Sequence, residues 1–162
     1  MKLISLLLCF LSSSLFAEMR MSSLHMEKAR TIAQQIAYRA MLNSYSDNHE
    51  LIQRVYLKIG SVRFNTPDYG YDFTSCAPMT LAYVEMYKDP NTINLCHLSL
   101  IGSIEKLAQT LIHESAHLIG LEDECDASRV ELLLFRLSRS PLVYKNNYLN
   151  QCGLDQSLRW LF

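Results

Sequence analysis

Residues 113–117 read His-Glu-Ser-Ala-His, the pattern H-E-x-x-H. Two imidazoles four positions apart on a helix lie about 40° apart around its axis and one turn along it, so both can turn a ring nitrogen toward one ion. Zn2+ accepts nitrogen and carboxylate ligands in a tetrahedral shell and, at catalytic sites, keeps one position open for water. Glu114 points in a neighbouring direction, where its carboxylate can take a proton from water and pass it to a leaving amine. Shuffling this composition yields the pattern by accident about once in a hundred times, so the surrounding elements have to support it.

The motif sits in a segment that Ser103 can cap, with Glu105 in the first turn, and that runs to Ile119 before Gly120 supplies a left-handed stop. With Ile104 at zero degrees, Leu107, Ala108, Leu111, Ser115, Leu118 and Ile119 fall within about 60° of it, whereas His113 and His117 fall near 180° and 220°. The histidines therefore avoid the core stripe. The expectation is a helix with one face in the core and the other on a cleft; two solvated histidines on an outer face is the competing reading.

A third protein ligand is required, and acidic residues follow the turn at Gly120. Asp123 stands first, at the start of a further helix running to about Arg139, in line with Ala127, Val130, Leu134 and Leu137. Asp123 can equally be the N-cap of that helix, with Asp126 favouring the helix dipole. In that case Glu124, longer and about 100° further round, becomes the ligand. Asp126 and Glu131 stand well behind both.

The remaining elements must hold this pair of helices. The spacing of Ala29, Ile32, Ala33, Ile36, Ala37, Ala40 and Met41 predicts a helix from about Ser23 to Ser44, and a shorter one is predicted over Asn48 to Ile59, ending before Gly60. Asn65 to Pro78 reads as loop. Thr80 to Tyr87 and Thr92 to Leu98 are short and rich in Tyr, Val, Ile and Leu, and Lys88-Asp89-Pro90-Asn91 between them predicts a hairpin. The tail from Tyr144 to Phe162 is expected to be partly helical. The fold class is thus α+β, mainly helical, in one domain spanning residues 18–162, with a small sheet beside the H-E-x-x-H helix.

The chain has 162 residues, 49% hydrophobic and 19% charged, with a formal net charge of -1. Scattered Lys and Arg leave no basic footprint for nucleic acid or for a polybasic membrane anchor. Met1 to Ala17 reads as a secretory signal peptide: a basic start at Lys2, an apolar run from Leu3 to Leu11, and a small residue at Ala17 before Glu18. That run is shorter than the roughly 20 residues needed to span a bilayer. The mature chain is expected to be secreted or periplasmic, without a membrane anchor, and monomeric. Cleavage removes Cys9 and leaves Cys76, Cys96, Cys125 and Cys152. An even number in an exported protein points to two disulfides with three possible connectivities, among which local pairing joins Cys76 to Cys96 and Cys125 to Cys152. No C-x-x-C pair supports a cysteine zinc site.

His113 to His117, with Gln109-Thr110-Leu111-Ile112 before it, resembles the active-site helix of the zincin metallopeptidases. Gly120-Leu121-Glu122-Asp123 resembles the G-T-x-D ligand motif of the aspzincin group, which includes deuterolysins and peptidyl-lysine metalloendopeptidases. Cys76, Ala82-Tyr83-Val84, Ile93-Asn94-Leu95-Cys96 and the Ala-rich first helix are similar to the layout of that group, so the likeness covers about residues 27–131. It implies a zincin-like domain in which His113, His117 and Asp123 bind zinc and Glu114 is the general base. Leu121 stands where the motif has Thr, and the spacing is closer to H-E-x-x-H-x-x-G-x-x-D. The Tyr that follows the ligand Asp in the group is replaced by Glu124-Cys125-Asp126. Glu124-Cys125-Asp126-Ala127 is also similar to an E-x-x-A segment of gluzincin-type peptidases, which keeps Glu124 as a candidate.

The expected function is an exported zinc metallopeptidase that hydrolyses peptide or protein substrates with water activated at zinc and Glu114 as base, an extended substrate pairing with the sheet edge. The alternative is a secreted binding or structural domain stabilised by zinc without competent catalysis. His25, His49 and His97 have no partner at ligand spacing and receive no role.

Overall fold

The computed structural model describes residues 23–66, 76, 79–144 and 150–154. Residues 23–42 form helix α1, and its Ala29, Ala33, Ala37 and Ala40 are buried. Small side chains on this face let neighbouring backbones approach closely. Helix α2 (Ser46–Ser61) contributes Ile52, Val55 and Ile59 to the same core. It runs through Gly60 to Ser61 instead of stopping before the glycine, and a Cβ at Gly60 would displace the Gln34 side-chain end on α1, whose Nε2 would lie 2.7 Å away.

Three strands follow, β1 (Arg63–Asn65), β2 (Ala82–Val84) and β3 (Thr92–Leu95). The hairpin read from the turn residues is present as β2 paired antiparallel with β3, Tyr83 opposite Asn94. The sheet also holds β1, parallel to β3 on its other side, in a segment expected to lead into loop. Arg63-Phe64-Asn65 is too short to show alternation; backbone pairing holds it, together with the Asn65 Nδ2 donation to Asn94 Oδ1 at 2.9 Å. Central β3, paired on both sides, is buried along its length: Ile93 and Leu95 join the core, while the polar Thr92 and Asn94 are satisfied by Asp89 Oδ2 at 2.8 Å and by Asn65 Nδ2 at 2.9 Å.

Helix α3 (His97–Leu100) is a single turn, followed by α4 (Ile104–Leu118) and α5 (Glu124–Ser138). Ser103 caps α4 as expected, its Oγ accepting from Lys106 N at 3.1 Å. Leu107, Leu111 and Ile112 of α4 and Leu134 and Phe135 of α5 complete the core; burying each such side chain contributes about 1.5–3 kcal/mol. Two disulfides join Cys76 to Cys96 and Cys125 to Cys152. The second ties the tail to α5, where Leu132 packs against Leu142 and Leu154.

Two bridges fit an extracellular protein, and no described helix is long and apolar enough to cross a membrane. The expected signal peptide, most of the loop 65–78 and most of the expected tail helix lie outside the described residues.

Candidate metal centre

Helix α4 is buried on all sides from Leu107 to Leu118. His113 and His117 are only 8% and 6% exposed, so the face that periodicity placed on a cleft is largely covered, and the competing reading of two solvated histidines does not hold. It is covered by α5 and by residues 143–144, which give its polar side chains their partners.

The turn after α4 orients His117. Gly120 takes φ 103°, a left-handed conformation that costs glycine little. Arg54 secures the helix end by donating to the Ile119 carbonyl at 2.5 Å, and Tyr87 donates to Glu122 beyond it. The reversed chain brings the Leu121 carbonyl within 2.6 Å of His117 Nδ1. A carbonyl only accepts, so Nδ1 carries the hydrogen and Nε2 is the nitrogen left for an ion. His113 is arranged alike, with Nδ1 lying 3.0 Å from Oε2 of the fully buried Glu131.

Both Nε2 atoms meet one carboxylate oxygen, Oε2 of Glu124, at 3.1 Å from His113 and 3.4 Å from His117. The ring centroids are 5.0 Å apart and the planes 77° inclined. One ligand atom from each of His113, His117 and Glu124 falls within 4.8 Å of the others. Ligands at 2.0–2.1 Å in a tetrahedral shell stand about 3.3 Å from one another, close to the two separations between Glu124 and the imidazoles, so the group could hold a metal ion. The Glu124 side chain is 44% exposed, which leaves the group a solvent side.

The carboxylate that reaches the imidazoles is that of Glu124 and not Asp123, which stood first in the sequence. Asp123 is the N-cap of α5: its Oδ1 accepts from Cys125 N at 2.8 Å and Asp126 N at 3.1 Å. The short Asp side chain is committed to its own helix start, while Glu124, one residue on and one methylene longer, turns toward α4. Asp126 pairs with Arg129 at the surface, 2.6 Å away.

Glu131, Gln109 and the Leu121 carbonyl were missed as supports of the imidazoles. A signal for Glu131 existed: it lies between Ala127, Val130 and Leu134 in the apolar stripe of α5, where an acidic residue needs a buried partner. No comparable pattern marked Gln109 or the carbonyl.

The electrostatics follow from this packing. Burial disfavours a charged imidazole at His113, but the hydrogen bonds of Glu124 and Glu131 and the charges of Glu131 and Glu114 outweigh it and lift its pKa to about 10. At His117 burial is likewise outweighed, chiefly by Glu124, and the pKa is raised. Hydrogen bonds from His113 and His117 hold Glu124 down at about 2 against the effect of burial. Burial raises Glu114, opposed in part by the two imidazoles.

A histidine with a raised pKa contributes stability fully below its ordinary value of 6.5 and loses it as pH climbs toward 10. A depressed carboxylate contributes fully above 4.5 and loses its share as pH falls toward 2. Glu114, raised by burial, loses its share as pH climbs above its ordinary 4.5, which draws the optimum toward the acidic end of the window. The metal-free protein, melted in excess chelator, is therefore expected to be most stable between the ordinary values of 4.5 and 6.5. Metal binding displaces protons, so its affinity is expected to rise with pH by about tenfold per unit for each proton released. A melting temperature that climbs from pH 6.5 to 9 in chelator would contradict this assignment of charges.

Comparison with protein-family models, with curated proteins and with solved structures returned no match.

Proposed function

We propose that this chain is an exported zinc-dependent metallopeptidase of the zincin type. The observation that supports this most is the convergence of two imidazole Nε2 atoms on one Glu124 oxygen, each Nδ1 held from behind, with Glu114 buried on the same helix. His113, His117 and Glu124 would hold the ion. When bound, zinc supplies a Lewis acid that polarises a carbonyl and lowers the pKa of a coordinated water.

Glu114 is the proton carrier. Its burial raises its pKa, so the carboxylate is a stronger base than an exposed glutamate and, once protonated, can return the proton to the departing amine. The half-exposed side of Glu124 is where substrate would enter. β2 is an edge strand among the described residues and packs against α4, which suits an extended peptide laid along it by main-chain pairing.

The deep burial of both imidazoles favours a second reading, a zinc-stabilised domain without catalysis. Incubating the mature protein with a mixed peptide library separates the two. The peptidase is expected to cleave internal bonds, to stop on chelation and to resume with added zinc. Loss of melting temperature on chelation with no cleavage beforehand would select the non-catalytic reading.

A further inference from the structure

Gln109 lies one turn before His113 on α4 and is fully buried. Its Nε2 donates to Glu131 Oε1 at 2.6 Å and to the Tyr144 carbonyl at 2.8 Å. Its Oε1 accepts from Val143 N at 2.9 Å and Tyr144 N at 3.3 Å. All four hydrogen-bonding positions of the amide are used, and the flipped orientation would set its NH2 against two backbone N–H groups. Gln109 therefore has one orientation, dictated by the backbone of residues 143–144. That segment is latched to α4 at two further points: the Tyr144 hydroxyl lies 3.2 Å from Thr110 Oγ1, and Lys106 Nζ sits 5.4 Å from the centre of its ring.

The contacts run in series from the tail backbone to Gln109, from Gln109 to Glu131 Oε1, and from Glu131 Oε2 to His113 Nδ1. A partner behind a ligating histidine fixes the ring's tautomer and rotation, and its loss commonly weakens metal binding about 10- to 100-fold. We propose that Gln109 and Glu131 are positioning residues that make the C-terminal segment at Val143–Tyr144 part of the metal centre, so that its docking sets the affinity for the ion. This rests on the reading of His113 as a ligand. An amide at position 131 has one acceptor oxygen and cannot accept from both Gln109 and His113 through separate oxygens, as the carboxylate does. Proline at position 143 removes the N–H that Gln109 accepts, at an exposed residue remote from the ligands.

The test is titration of the mature, oxidised protein with cobalt(II), read by its visible absorption, and with zinc against a competing chromophoric chelator. Glu131→Gln is expected to weaken zinc binding about 10- to 100-fold and Val143→Pro about tenfold, each altering the cobalt band. Circular dichroism in chelator checks that each variant is folded, and Val143→Pro carries the test if Glu131→Gln does not fold. Failure of the wild type to bind either metal would remove the underlying reading of His113. A wild type that binds, with a folded variant matching it within twofold and giving the same cobalt spectrum, would overturn this inference alone.

Discussion

Replacing Glu114 with Gln is expected to leave the protein folded, still carrying about one zinc per chain, and to cut peptide hydrolysis by about 10²–10⁴-fold. The substitution keeps the shape of a buried side chain and leaves His113, His117 and Glu124 untouched. It removes the one group on α4, beside both imidazoles, that can accept a proton from the attacking water. Because the carboxyl is destabilised as an anion by its burial, an amide there costs little, and the effect should lie in kcat and not in Tm. Metal content and turnover on the same purified sample check this. Hydrolysis at the wild-type rate would remove Glu114 from the mechanism.

The second large effect separates two adjacent acids. Glu124→Ala removes the oxygen on which both Nε2 atoms converge and is expected to lower zinc affinity by at least roughly a hundredfold, beyond the usual loss of a supporting partner. Asp123→Ala removes only a helix cap. It is expected to cost about 1 kcal/mol of stability while leaving zinc affinity within about twofold, as an uninvolved residue should. Competitive zinc titration and thermal melting of the two variants give both readings. The reverse pattern, with Asp123 controlling affinity, would restore the ligand implied by the aspzincin resemblance.

The fold was legible where local rules dominate. The Ala-rich periodicity of α1, the cap at Ser103, the turn at Gly120 and the hairpin through Asp89-Pro90-Asn91 each state their structure in neighbouring residues. β1 was not legible, because three residues paired in parallel with a distant strand leave no local pattern. Gly60 misled because a glycine in a helix interior costs only about 1 kcal/mol, which the burial of Ile52, Val55 and Ile59 on the same helix outweighs. At the site, the H-E-x-x-H spacing identified the two imidazoles, but helical angles alone exposed them too much. They describe one helix and carry no knowledge of what α5 and the tail place over its far side. The choice between Asp123 and Glu124 turned on which backbone N–H groups needed a cap, which depends on where α5 begins to within one residue.

The most direct measurement is anomalous diffraction at the zinc absorption edge from crystals of the protein grown with zinc. One peak is expected about 2.0–2.2 Å from His113 Nε2, His117 Nε2 and a Glu124 oxygen, with Glu131 still behind His113. A peak elsewhere, or none between these three side chains, would contradict the metal centre and the peptidase built on it.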